Sequence, residues 1–262
     1  MIIAISAGRG GSKGFPGKNL YKLGAYPMMA YPIMAAYNCE LVDKIYFSSD
    51  CEEQIEIAIH YGVTATYMRP DHLASDSALL EDVYVWLYNE VRRNMPIEFI
   101  ILLMSNAPCI TSKMLEEMIL ILRENKEADS ICTISKYNMF HPNRSRKIIE
   151  DWENAKRVSD RVPGNEVGGD LMQASIRKLI PYIPEIFNDK TSCDRDCNED
   201  NWIYDCSAAV VKPYCLDNIK EGILPQRWLG KNILGYRQET PAVDIDYEWQ
   251  VGQLKYWLEK YW

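Results

Sequence analysis

Five glycines and three cations crowd the first 20 residues, M-I-I-A-I-S-A-G-R-G-G-S-K-G-F-P-G-K-N-L. Gly8, Gly10, Gly11, Gly14 and Gly17 allow tight turns and let backbone approach a ligand closely. Arg9, Lys13 and Lys18 sit among them. N–H groups exposed by such a loop form an anion nest. An arginine grips two oxygens at once and a lysine adds a point charge, so a polyphosphate is the natural guest. Two better-known phosphate loops do not fit. No glycine is followed by Lys-Ser or Lys-Thr, and Lys13 stands where G-x-G-x-x-G needs its third glycine. A second group of chemical interest is P-A-V-D-I-D-Y-E-W-Q, residues 241–250. Asp244 and Asp246 alternate, so in an extended segment they share a face. Paired carboxylates near a phosphate site suit Mg²⁺, which takes one or two carboxylates plus phosphate oxygens and water. The plainer alternative makes one aspartate a helix cap and leaves the other solvated.

These residues need elements to position them. The apolar run 2–5 ahead of the glycines reads as a buried strand. Beyond it the chain alternates: helix 28–38, strand 44–49, helix 52–60, strand 63–67, helix 77–93, strand 98–104, helix 112–124 and strand 130–134. Strand 98–104, E-F-I-I-L-L-M, is apolar throughout, as expected at the centre of a parallel sheet. The alternation predicts an α/β fold with a doubly wound, mostly parallel sheet. Ligands then sit beyond the carboxyl ends of the strands. The glycine loop, Asp50, Arg69 and Ser105 all fall at that edge. Strands are also expected at 204–212 and 232–237, and a closing helix at 246–262. From 137 to 201 the apolar period is lost, although islands such as 147–149 and 171–186 remain. Long irregular segments in compact domains usually have a function or are disordered. An ordered arm docking on a second subunit is the expectation, within a single domain spanning 1–262.

Composition narrows the classes. The chain has 262 residues, 47% of them hydrophobic, and a net charge of −8. That charge argues against a general nucleic-acid binder. No run approaches the ~20 apolar residues of a membrane span. No signal segment is evident, so the reducing cytosol is expected. Four of the eight cysteines, Cys39, Cys109, Cys132 and Cys215, sit in apolar surroundings as ordinary core residues. Cys193, Cys197 and Cys206 make a weak zinc pattern with no clear fourth ligand.

Taken together the motifs resemble the cytidylyltransferases that activate acidic sugars, chiefly CMP-sialic acid synthetases (N-acylneuraminate cytidylyltransferases). The resemblance rests on R-G-G-S-K-G-F-P-G-K-N-L, S-S-D ending at Asp50, R-P-D-H-L-A-S-D-S from Arg69, and D-I-D-Y-E from Asp244. It implies a Rossmann-like nucleotidyltransferase fold with 137–201 as an inserted dimerisation arm. It implies that Arg9, Ser12 and Lys13 hold the CTP triphosphate, with Lys13 catalytic. Lys18 and Asn19 would end the loop, Asn19 near ribose and base, and Arg69, Ala74 and Ser75 would form the cytosine pocket. Asp244 and Asp246 would hold Mg²⁺ at the reacting phosphate. Ser105, and Arg144 on the arm, would meet the acidic sugar. A homodimer is implied, with CTP and a small acidic sugar as partners and neither nucleic acid nor membrane. The acceptor side departs from the family pattern. Q-P-T-S-P-x-R reads M-S-N-A-P-C-I, so Met104 replaces a glutamine and Ile110 an arginine. Asn-Gly before the late strand is Cys206-Ser207, and the last acid of D-I-D-x-x-x-D is Gln250. A related nonulosonic acid, another acceptor such as a sugar 1-phosphate or a phosphonate, or a non-catalytic CTP-binding role are the alternatives.

Overall fold

Side chains alternate across β1 (Ile2–Ala7) and decide how the sheet is covered. Ile2 and Ala4 enter one core while Ile3 and Ile5 enter another. The computed structural model describes residues 1–75, 77–93, 95–149, 178–181, 199–239 and 244–261. The chain divides into two units, Met1–Ser135 with Ile203–Trp262, and Lys136–Trp202.

The first unit is built on a seven-stranded sheet. Its strands are β1, β4 (Lys44–Ser49), β5 (Ala65–Met68), β6 (Phe99–Met104), β7 (Ser130–Lys136), β10 (Trp202–Val211) and β11 (Ile233–Arg237), in the order β11-β7-β10-β6-β1-β4-β5. β1 pairs in parallel with β4 and β6, β4 with β5, and β7 with β11. β10 runs antiparallel to β6, with Ala209 opposite Leu102. A minor hairpin joins β2 (Lys22–Leu23) to β3 (Tyr26–Pro27).

Helices cover both faces, because strands buried on both sides must be packed on both. On one side α1 (Ala30–Tyr37) and α5 (Ser112–Glu124) meet Ile101 and Leu103, through Ala35, Ala36, Leu115 and Met118. On the other, α4 (Leu80–Val91) lays Tyr84, Leu87 and Tyr88 against Ile100 and Leu102. Cys215 and Leu216 of α6 (Pro213–Asp217) join that second core. α2 (Glu52–His60) packs Ala58 against Phe47 and Ile33. The short α3 (Asp71–Ala74) follows Arg69-Pro70, where the sequence pattern predicts no element. α5 starts where it does because the Thr111 hydroxyl accepts from Met114 N at 3.3 Å, capping the first turn.

The closing helix begins later than expected, as α7 (Val251–Tyr261) after a 3₁₀ turn. Gln250 Oε1 accepts from the backbone N–H of Asp246 at 2.8 Å and of Tyr247 at 2.7 Å, which caps the turn and keeps Asp246 outside the helix. A third small core beyond the strand ends joins Phe15, Leu23, Cys109, Ile245, Val251 and Leu254. It ties the glycine loop to the aspartate segment.

The second unit contains β8 (Arg146–Ile149) and β9 (Lys178–Pro181), paired antiparallel with Lys147 opposite Ile180. Asn201 N donates to Asn138 Oδ1 at 2.9 Å, and Asn201 Nδ2 to the Tyr137 carbonyl at 3.0 Å. The remainder of the expected arm, with Cys193 and Cys197, lies outside the described residues.

Candidate active site

A cavity of about 290 Å³ opens at the carboxyl edge of the sheet, within the first unit. The loop after β1 brings Gly8, Arg9, Lys18 and Asn19; the chain after β5 brings Arg69, Leu73 and Ser75. The exit of β6 supplies Met104, Ser105 and Asn106, and the segment before α7 supplies Asp244 and Asp246. Of the sequence candidates, Ser12, Lys13 and Ala74 do not line this cavity, and Lys13 is exposed. Arg144 belongs to the second unit, at the end of a 3₁₀ turn.

The loop is held from three sides. Asp50 Oδ1 accepts from Gly10 N at 2.8 Å. Asn19 Nδ2 donates to the Arg9 carbonyl at 3.4 Å and to Gln54 Oε1 at 3.2 Å. A Cβ on Gly8 would stand 2.3 Å from that Gln54 oxygen and 2.9 Å from Asn19 Nδ2, so a side chain there would displace both amides. A Cβ on Gly14 would lie 2.6 Å from the Asp246 carbonyl, so loop and aspartate segment are in direct apposition. Gln54, 1% exposed, was not a sequence candidate; a glutamine in an amphipathic helix reads as a solvent residue, and its burial depends on the loop above it.

Arg69 has a structural part besides its expected one. It is 7% exposed, and Nη2 donates to the carbonyls of Gly8 at 2.7 Å and Ser48 at 3.2 Å. Burial lowers its pKa. The guanidinium therefore braces the loop onto β4 while lining the cavity, and its buried Nε has no partner. Asn19 Oδ1 is likewise buried without a partner. An unmet donor and an unmet acceptor at one cavity are what a polar guest would complete.

Asp244 and Asp246 lie on either side of Ile245, whose side chain is 1% exposed in the third core. In an extended stretch that turns both carboxylates to the other face, toward the cavity. Lys18 Nζ reaches Asp246 Oδ1 and the Ile245 carbonyl, each at 2.8 Å. Asn106 Nδ2 donates to the Ile245 carbonyl at 2.8 Å and to Asp244 Oδ2 at 3.3 Å. Burial, then the charge of Asp246, raises the Asp244 pKa. Among the described residues no three His, Cys, Asp or Glu side chains converge on a metal position. The donor set therefore fits a hard cation that takes its other ligands from water and substrate oxygens, as Mg²⁺ does, and fits zinc poorly.

On the acceptor side, Ser105 Oγ is buried 3.2 Å from Ser6 Oγ. Met104 Sδ accepts from Tyr84 Oη at 3.4 Å. Ile110 is fully buried in the first core and does not reach the cavity. Cys206 has φ +59°, a left-handed conformation costly for a cysteine. Burial, then the charge of Asp244, raises its thiol pKa.

Known proteins resemble this chain. The chain is 30% identical over 169 residues to a Helicobacter pylori protein named pseudaminic acid cytidylyltransferase and UDP-2,4-diacetamido-2,4,6-trideoxy-beta-L-altropyranose hydrolase, covering 64% of this chain and 32% of that protein. It is 29% identical over 108 residues to the CMP-N,N'-diacetyllegionaminic acid synthase of Legionella pneumophila, covering 41% and 47%. The matched part thus spans less than half the length of either relative. A solved structure of CMP:2-keto-3-deoxy-manno-octonic acid synthetase complexed with CTP superposes with a TM-score of 0.61 at 12% identity, over 99% of this chain and 98% of that one. That likeness shows the fold. The cytidylyltransferase family matches residues 3–248, so the chain belongs to the cytidylyltransferase family.

Proposed function

We propose that this protein transfers CMP from CTP to an acidic sugar of the nonulosonic class and releases pyrophosphate. One observation carries the reading: one cavity is lined by Arg9, Lys18 and Arg69 together with the Asp244–Asp246 pair. The family and the relatives named for pseudaminic and legionaminic acids supply the substrate class. In this reading the acceptor hydroxyl gives up its proton to a nearby carboxylate or water as it attacks the α-phosphorus, a P–O bond forms, and the bond to the pyrophosphate oxygen breaks. Negative charge grows on the non-bridging and leaving oxygens, where fixed cations lower the barrier most. Arg9 and the loop N–H groups would grip the phosphates, with Ser12 and Lys13 closing over them. Asn19, Arg69, Ala74 and Ser75 would hold ribose and base. Asp244 and Asp246 would hold Mg²⁺, which supplies charge neutralisation at the reacting phosphate. Ser105 and Arg144 would meet the acceptor, with Arg144 lent across a two-fold axis in a homodimer, the commonest closed assembly. The free thiols, among them Cys51 and Cys206, fit a reducing compartment, so the cytosol is the proposed location.

A pyrophosphate-release screen over four nucleoside triphosphates and a panel of acidic sugars tests this. Turnover with CTP and a nonulosonic acid is expected, and equal turnover with ATP or GTP would remove the cytosine assignment. Met104 and the buried Ile110 favour a second reading, a different acceptor on the same machinery. The panel therefore includes sugar 1-phosphates and phosphonates. Turnover with those alone would select that reading.

A further inference from the structure

We propose that Asn106 is a positioning residue that aims Asp244 at the cation without adding a positive charge of its own. The inference rests on the metal reading of the acidic pair above. Asn106 leaves β6 one residue after Ser105 and is 9% exposed. It binds the aspartate segment in both directions. Its carbonyl accepts from Ile245 N at 2.9 Å, and its Nδ2 donates back to the Ile245 carbonyl at 2.8 Å. The same Nδ2 reaches Asp244 Oδ2 at 3.3 Å. An amide has two N–H donors, so both contacts can be made at once.

The residue type matters. Asp246 already has a cation, Lys18, at 2.8 Å. A second lysine or arginine on Asp244 would fix the carboxylate equally well, yet it would cancel the charge a divalent ion needs. A neutral amide orients one oxygen and leaves the other for a guest. Groups that orient metal-binding carboxylates commonly matter 10–100-fold, roughly, to affinity or activity. The position is also suited to transmit order. Asn106 grows from the central, fully packed strand β6, whereas residues 244–246 belong to no strand among the described residues. The clamp thereby gives two carboxylates the rigidity of the sheet.

The test measures Mn²⁺ binding to the folded protein by electron paramagnetic resonance, with and without CTP, beside thermal melting and steady-state kinetics. Asn106→Ala is expected to raise the Mn²⁺ dissociation constant about 10-fold or more. Asn106→Ser, which returns one hydroxyl donor, should recover part of the loss. A fall in kcat at saturating CTP, with little change in KM for CTP, should accompany it. If Asn106→Ala lowers only the melting temperature and leaves Mn²⁺ affinity as in wild type, the positioning role is overturned and the clamp is structural. If Asn106→Ala does not fold, Asn106→Ser against wild type decides the same question. Asp244→Asn separates the two levels of the argument. Unchanged Mn²⁺ binding in that variant overturns the metal reading itself, whereas lost binding there beside an unaffected Asn106→Ala overturns only the inference.

Discussion

Two carboxylates of this molecule, the buried Asp205 and the half-buried Asp244, have raised pKa values, in each case chiefly through loss of water, yet their surroundings differ in kind. Asp205, 1% exposed, accepts from Thr133 Oγ1, Ser135 Oγ and Gln238 Nε2, each at 2.6 Å, and from Ser207 N at 3.0 Å. The donors come from β7, β10 and the exit of β11, so one side chain knits three strands. Asp244 has one amide donor at 3.3 Å and a second carboxylate close by. The protein completes the first group with its own donors and turns the second toward the cavity. A carboxylate whose lone pairs are all met specifies structure; one held in place with an oxygen to spare is available to a ligand.

The comparison can be broken most forcefully at the acidic pair. Asp246→Asn is expected to lower kcat by ~10²-fold or more while the melting curve stays near wild type, since the lost interaction matters mainly in the transition state. Near-normal kcat at saturating Mg²⁺ would remove Asp246 from the chemistry. Asp205→Ala should do the reverse. Stranding several buried donors costs about 1–3 kcal/mol for each unmet group. Urea unfolding should therefore show a loss of roughly 3 kcal/mol. Full stability in that variant would mean the network is ornamental.

A subtler contrast is the pH dependence of Asp244→Asn without ligand. A carboxyl whose folded pKa is raised favours the native state below its unfolded value, and that contribution is lost as pH rises through the folded pKa. The amide variant should therefore melt higher than wild type above the ordinary carboxylate range. The advantage should fade as pH falls below that range, where Asp244 is protonated in both states. A constant difference across pH would show that Asp244 is not the source. The smallest effect is expected at Cys206. Asparagine tolerates φ +59° better than cysteine, so Cys206→Asn should stabilise by about 0.5–1 kcal/mol, read from denaturant midpoints. A destabilised variant would mean the thiol's packing outweighs its backbone strain.

Much of the frame was legible because its signals are local. The strand 44–49 and the helices 52–60 and 112–124 occur at the expected residues, for Thr111 caps the last of these and Glu52 and Glu53 favour the start of α2. The helix expected over 77–93 is shorter, Leu80–Val91, since Leu79 is extended and a turn precedes it. The aspartates were legible as a pair. Their clamp was not, because Asn106 meets Asp244 across 138 positions and an asparagine after a strand reads as a turn residue. Arg69 was legible as a cation at the right edge, whereas its service to the Gly8 and Ser48 carbonyls depends on how two loops stack. The antiparallel β10 was legible as a strand without its direction. Alternating burial looks the same either way, and only the ladder decides.

The place of β10 has a consequence for how the protein is made. β6 and β7 are successive principal strands of the sheet, yet β10 lies between them. A ribosome releasing the chain from its amino end therefore exposes an incomplete sheet, with a vacant slot beside β6, until the segment through Val211 has emerged. Exposed strand edges of this sort invite pairing with other chains. The seal on that slot is also what brings the Asp205 network, the Cys206 turn and, soon after, Asp244 into being. Closure of the sheet and creation of the site are thus late and nearly simultaneous events of synthesis. A chain halted before residue 202 would be unsealed and unarmed together.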